Sequence, residues 1–121
     1  MSEFVNYLAE VFEPFGETRS RKMFGGHGLY HDDLMFGLIA DDTLYLKADD
    51  QSKQTFLDQG LTPFMYNKNG RQLPMSYYQA PESIFDDPDE AVRWARLAFD
   101  AALRNRKPKR KRSKKKPASK G

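Results

Sequence analysis

No cysteine occurs anywhere in the 121 residues. That excludes disulfides, thiolate nucleophiles and cysteine-held metal sites together, and it fits a reducing compartment. Histidine is nearly as scarce, with His27 and His31 alone. No apolar run approaches the ~20 residues needed to cross a bilayer. The opening Met1-Ser2-Glu3 lacks a basic-then-apolar leader. The expectation is a soluble, cytoplasmic protein with no membrane contact.

Charge is divided unevenly along the chain. Residues 104–121 contain no Asp or Glu and eleven of the 20 Lys and Arg; residues 1–103 hold the remaining nine against all 17 acids, a net charge of −8. The overall +3 therefore averages two unlike objects. Hydrophobic residues make up 39% and aromatics 13%, which suits a globular body with one modest core. Outside its prolines the tail has only Ala118 as an apolar side chain. It cannot offset its ordering entropy, so residues 105–121 are expected to be disordered and residues 1–104 to form the domain.

Within the body, the apolar period switches between helix and strand. Phe4, Leu8, Val11 and Phe15 recur at helical spacing after a candidate Ser2 cap, and Pro14 and Gly16 end that helix. From Arg19 onward the period is two. Arg21–Phe24, Gly28–Tyr30, Leu34–Ala40 and Thr43–Lys47 read as strands, broken by Gly25-Gly26, Asp32-Asp33 and Asp41-Asp42. On Leu34–Ala40, alternation predicts that Leu34, Phe36, Leu38 and Ala40 share one face. Asp49 or Asp50 can cap a second helix, which Gly60 stops. Asn69-Gly70 between two apolar runs is a strong hairpin signal, and Pro74 requires an edge or a bulge in the strand that holds it. Asp87-Pro88, with Glu90 at the capping-box position, opens the last helix. Its expected buried stripe is Val92, Ala95, Phe99 and Leu103. The order α-β-β-β-β-α-β-β-α predicts an α+β fold in two layers, an antiparallel β-sheet covered by helices.

Few side chains suggest chemistry. Glycine amides beside cations can bind anions, which makes Arg21, Lys22, Gly25, Gly26 and Gly28 a candidate anion or partner loop. A phosphate loop, however, leads into a helix. Here the loop joins strand to strand, and a bulge or tight turn is the favoured reading. His27 and His31 with Asp32 and Asp33 contain metal-ligand types, but two histidines on one hairpin read as surface residues. The paired acids all fall at predicted turns or helix starts, where aspartate has a backbone role. There is no glycine-framed serine elbow, and the chain reads as non-enzymatic, with no cofactor or metal. Tyr66, Tyr77 and Tyr78, with Phe64 and Met75, form an aromatic-rich hairpin. Tyr77 and Tyr78 lie on opposite faces of one predicted strand, so that at least one is a candidate partner or homodimer contact.

Three segments, Arg21-Lys22-Met23-Phe24-Gly25-Gly26-His27-Gly28-Leu29-Tyr30, Leu44-Tyr45-Leu46-Lys47-Ala48 and Met75-Ser76-Tyr77-Tyr78, resemble in order and spacing the N-terminal domain of the TfoX/Sxy family of bacterial competence regulators. The resemblance spans roughly residues 3–104. It implies a two-layer α+β domain with a regulatory role, no known reaction and a protein partner in the transcription machinery. In longer members a second, helical domain follows, and the protein acts with the cyclic-AMP receptor protein. This sequence departs from that pattern by carrying the basic tail there, so competence control does not transfer on resemblance alone.

The tail is the sharpest functional feature of the sequence. Lys107, Lys109, Arg110, Lys111, Arg112, Lys114, Lys115 and Lys116 favour DNA or RNA by counterion release. With no aromatic to stack on bases, that contact is expected to be nonspecific and salt-sensitive. The acidic body argues against a broad DNA-binding face on the folded domain.

Overall fold

The computed structural model describes residues 3–23 and 25–106. Its first helix, α1 (Glu3–Val11), buries Val5 and Leu8, and Phe12 follows directly in the core. Of the expected stripe, Leu8 is fully buried, while Phe4, Val11 and Phe15 pack only partly against that core. Val5 and Phe12 complete the buried line on either side of Leu8. The Ser2 cap falls outside the described residues.

Four strands follow as a meander: β1 (Arg19–Met23), β2 (Gly26–His31), β3 (Leu34–Ala40) and β4 (Thr43–Lys47), each antiparallel to the next. Tight turns join them. Asp32, Asp33, Asp41 and Asp42 all have φ between 50° and 62°, the left-handed pairs that a two-residue hairpin turn demands. Helix α2 (Lys53–Asp58) leads into β5 (Pro63–Lys68), and Asn69-Gly70, at φ 54° and 77°, turns the chain into β6 (Arg71–Gln79). The sheet order is β1-β2-β3-β4-β6-β5. Strand β6 meets β4 only through Tyr77–Gln79. Its first half overhangs as a two-stranded ribbon with β5, and Pro74 sits in that overhang, where no second neighbour needs its missing N–H.

Strand β3 departs from simple alternation. Leu29 pairs with Gly37 but Tyr30 pairs with Met35, which leaves Phe36 as an extra residue on β3. This β-bulge re-aims everything beyond it. Phe36 and Ile39 are buried in the core, whereas Leu38 pairs with Tyr45 and faces away. The expectation that Leu38 and Ala40 share the face of Phe36 is therefore corrected.

A short helix, α3 (Ser83–Asp86), which the sequence pattern did not signal, precedes α4 (Pro88–Arg104). Asp87 caps α4, its Oδ1 accepting from the Asp89 amide at 3.0 Å, with Pro88 in the first turn. Glu90 does not close a capping box, because the Asp87 amide already donates to the Ser83 carbonyl. Glu90 accepts instead from Trp94 Nε1 at 3.2 Å and Ser83 Oγ at 3.1 Å. Ala91, Ala95, Ala98 and Ala102 form the buried ridge of α4 together with Trp94 and Phe99. Leu103, expected inside, is exposed. Alanine lets a helix approach a sheet closely, and of the four ridge alanines the expected stripe held only Ala95.

All four helices lie on one side of the sheet and share a single core. Phe12, Phe36, Phe56, Leu8, Leu29, Leu46 and Ile84 are fully buried there, each stabilising the fold by roughly 1.5–3 kcal/mol before entropy is counted. The end of α4 is clasped to the loop after β4. Asp49 accepts from Arg104 Nε at 2.7 Å and Nη2 at 2.9 Å, from Asn105 Nδ2 at 3.0 Å, and from the Gln51 and Ser52 amides. The Arg104 hydrogen bonds, more than any other contact, hold the Asp49 carboxyl far below the usual carboxylate range.

Candidate functional site: the uncovered face of the sheet

The strands contain no Asp or Glu. Their charged residues are Arg19, Arg21, Lys22, Lys47, Lys68 and Arg71, every one cationic. All 17 acids therefore sit in helices, turns and loops. The net negative charge of the body is real, but it is not spread evenly. That segregation leaves the strands cationic within a body that is acidic overall.

Alternation sends Arg21, Met23, Tyr30, Met35, Leu38, Tyr45, Lys47, Tyr66, Leu73, Met75 and Tyr77 away from the helices. Among the described residues no helix covers them, and none of them belongs to the core cluster. An apolar cleft of about 300 Å³ opens on this face. Met23, Met35 and Leu38 form one wall, and Phe64, Tyr66 and Met75 of the overhanging ribbon form the other. Phe64 is braced edge-on by Tyr45, with ring centroids 5.0 Å apart. Tyr66, 46% exposed, is the most open ring of the face.

The cations flank and partly roof the aromatic rings. Arg21 lies 5.6 Å above the Tyr30 ring and Lys47 5.1 Å above that of Tyr77. Lys47 Nζ also donates to Ser76 Oγ at 3.0 Å. Burial lowers the Lys47 pKa, opposed by the Asp49 charge. Burial also pushes the Tyr77 hydroxyl up to about 12, with Tyr30 adding to the effect. At the tip of the ribbon Lys68 pairs with Arg71. Neither makes an ion pair among the described residues.

The residues singled out in the sequence are dispersed by the fold. Gly25, at φ 70°, makes the β1–β2 turn, and a Cβ on Gly26 would collide with the Ile39 carbonyl oxygen. A Cβ on Gly28 would lie 2.9 Å from Met23 Sδ and 3.1 Å from Met35 Sδ. Each glycine thus has a backbone or packing reason. Arg21 faces outward, and Lys22, next in the strand, borders the opposite side near Val5. The two cations diverge and do not cradle an anion, while Phe24 lies outside the described residues. Tyr77 and Tyr78 do go to opposite faces, but neither presents a free ring. Tyr77 is 9% exposed beneath Lys47, and Tyr78 stacks on Phe56 in the core. Nor does the strand that holds them lie at the sheet edge.

His31 does not face solvent with the paired acids. Its ring packs between Phe15 and Phe99, with Nδ1 2.8 Å from the Glu17 carbonyl oxygen and Nε2 3.6 Å from the Asp32 carboxylate. The tail lysines and arginines from Lys107 onward lie outside the described residues. The sequence pattern grouped Phe64, Tyr66 and Met75 on one hairpin, but it did not bring Met23, Met35 and Leu38 into the same surface. The available signal was the absence of acid from every alternating run.

Comparison with known proteins places these features in a family. Residues 10–102 match the family model of the TfoX N-terminal domain. The chain is 32% identical over 97 residues to Protein Sxy of Escherichia coli strain K12, covering 80% of this chain and 46% of that protein. It is 28% identical over 116 residues to DNA transformation protein TfoX1 of Aliivibrio fischeri, covering 85% and 56%. The chain thus spans about half the length of the curated relatives it matches. No helix among the described residues is long and apolar enough to cross a membrane. The six-stranded sheet, its helical cover and the sequence match agree, and the chain belongs to the TfoX N-terminal domain family.

Proposed function

We propose that this protein is a non-enzymatic regulatory adaptor. In this reading residues 1–104 form a folded unit that binds a protein partner. Residues 105–121 add sequence-independent affinity for DNA or RNA. The observation that carries it is the uncovered sheet face, where an apolar cleft lies among cations with no acid in any strand. Soluble proteins seldom leave such a patch open without using it for contact. Membership in a family of regulators associated with competence supports a cytoplasmic partner in the transcription machinery.

The tail serves a different purpose in this account. Cations spaced along a chain without aromatics gain affinity from released counterions and read no sequence. The anion-loop alternative at Arg21–Tyr30 has less support, because Arg21 and Lys22 diverge and the glycines are explained by packing. A truncation at residue 104 tests the division of labour. Duplex DNA binding, followed by fluorescence anisotropy across a salt series, is expected in the full chain with a steep salt slope. It is expected to be lost in the truncated body. Equal DNA affinity in both forms contradicts the reading.

A further inference from the structure

The uncovered face carries enough chemistry to specify its occupant. We propose that it docks an acidic amphipathic segment of a partner protein, with one or two large apolar side chains in the cleft and carboxylates against Arg21, Lys47, Lys68 and Arg71. This rests on the adaptor reading and deepens it.

Size and lining come first. A cleft of about 300 Å³ accepts a pair of side chains but is at the low end for a small-molecule ligand. Three of its nine lining residues are methionines (Met23, Met35 and Met75). Methionine's unbranched thioether adapts to varied apolar shapes, and surfaces that accept amphipathic helices are rich in it.

Charge decides between occupants. The tail is cationic with almost no apolar side chains, so it fits neither the cleft nor its flanks. A second copy of the same face would set cations against cations. Single-stranded nucleic acid matches the charge but needs open ring faces for its bases. Here Arg21 and Lys47 already occupy the faces of Tyr30 and Tyr77, and Tyr45 packs edge-on against Phe64. Most of the cleft is thioether and aliphatic. An acidic segment with spaced apolar residues satisfies both the lining and the flanks. The overhang of β6 is interrupted by Pro74, which favours side-chain docking over addition of a strand.

The experiment is a selection from a random 16-residue peptide library against the full chain, run in parallel on Leu38→Glu and Met75→Gln. Those variants change opposite walls of the cleft and keep the tail, so acidic peptides captured by the tail appear in all three. Circular dichroism establishes that each variant is folded, and either one suffices for the comparison. The expected result is a set of peptides enriched only on the unchanged chain. These carry net negative charge and apolar residues three or four apart, and they bind each folded variant at least tenfold more weakly. Neutral or basic consensus peptides would overturn the proposal. So would equal enrichment on all three chains, which leaves the adaptor reading standing through another surface. A 20-nucleotide oligo(dT) is tested on the same proteins with the tail removed. Tight oligo(dT) binding that both variants abolish would overturn both the proposal and the adaptor reading, by making the face a nucleic-acid platform.

Discussion

The two faces of one sheet obey different rules. On the helix side Phe36, Ile39, Leu44 and Leu46 are buried against four helices, and the interior is apolar. On the other side Leu38, Met35 and Met75 are equally apolar but are left uncovered, in strands whose only charged residues are cations. Neighbouring residues of a single strand, Phe36 and Leu38, therefore serve unlike purposes. The first stabilises the fold, and the second shapes a surface. The comparison shows that hydrophobicity in this chain does not by itself mark the core, whereas cover by a helix does.

The sharpest way to break that comparison is to truncate both residues. Phe36→Ala removes a fully buried ring that meets Phe12 edge-on at 5.9 Å. Its expected cost is about 3–5 kcal/mol. Leu38→Ala, two positions along, is expected to cost less than about 1 kcal/mol, as for a residue outside the packed core. Urea denaturation of both variants decides the matter, and similar losses would mean that the outer face is part of the stabilising core.

A smaller effect is expected at the edge of the helical layer. Asp49→Ala removes the acceptor for Arg104, Asn105 and two loop amides, and is expected to cost about 1–2 kcal/mol near neutral pH. The pH dependence has a definite sign. Because the folded pKa of Asp49 lies below the ordinary 3.8, its contribution is complete above that value. It is lost as pH falls from about 4 toward the depressed folded value. The stability gap between the wild-type chain and Asp49→Ala is expected to stay constant from pH 7 to 5 and to narrow below pH 4. A gap that widens on acidification contradicts this assignment.

The smallest effect concerns the turns that set the strands in register. Asp33 has φ 62°, a left-handed backbone that costs most residues roughly 1–2 kcal/mol and glycine almost nothing. Asp33→Gly is expected to raise stability by up to about 1 kcal/mol, a few degrees of Tm by calorimetry. A lower Tm would show that the Asp33 side chain does more than tolerate the turn.

Much of the fold was legible in the sequence because local chemistry dictates it. Asp32-Asp33, Asp41-Asp42 and Asn69-Gly70 mark the hairpins, and Asp87-Pro88 marks the start of α4. The bulge at Phe36 was not legible. Every residue of Leu34–Ala40 is apolar or glycine, so no alternation reveals which face each one takes. The alanine ridge of α4 was hidden for a related reason, since large residues dominate any apolar stripe drawn by eye. The Asp49–Arg104 clasp joins residues 55 positions apart, and nothing local announces it.

The candidate site was less legible still. Its walls come from β1, β3, β5 and β6, and the strand order that brings them together is a tertiary property. Tyr66, Tyr77 and Tyr78 marked the right hairpin, but the open ring on it is Tyr66 and not either tyrosine of β6. Summing charge over the body concealed the cationic sheet within an acidic domain. Reading charge element by element would have exposed it.

A docking role for the uncovered face requires that the face be free of structural duty. Paired measurement of stability and peptide affinity for Leu38→Glu tests it most directly. The expected result is a urea midpoint close to that of the wild-type chain, with an unchanged denaturation slope, and at least tenfold weaker binding of an acidic amphipathic peptide selected on the full chain. A variant that keeps full affinity, or one that loses stability as Phe36→Ala does, would contradict it.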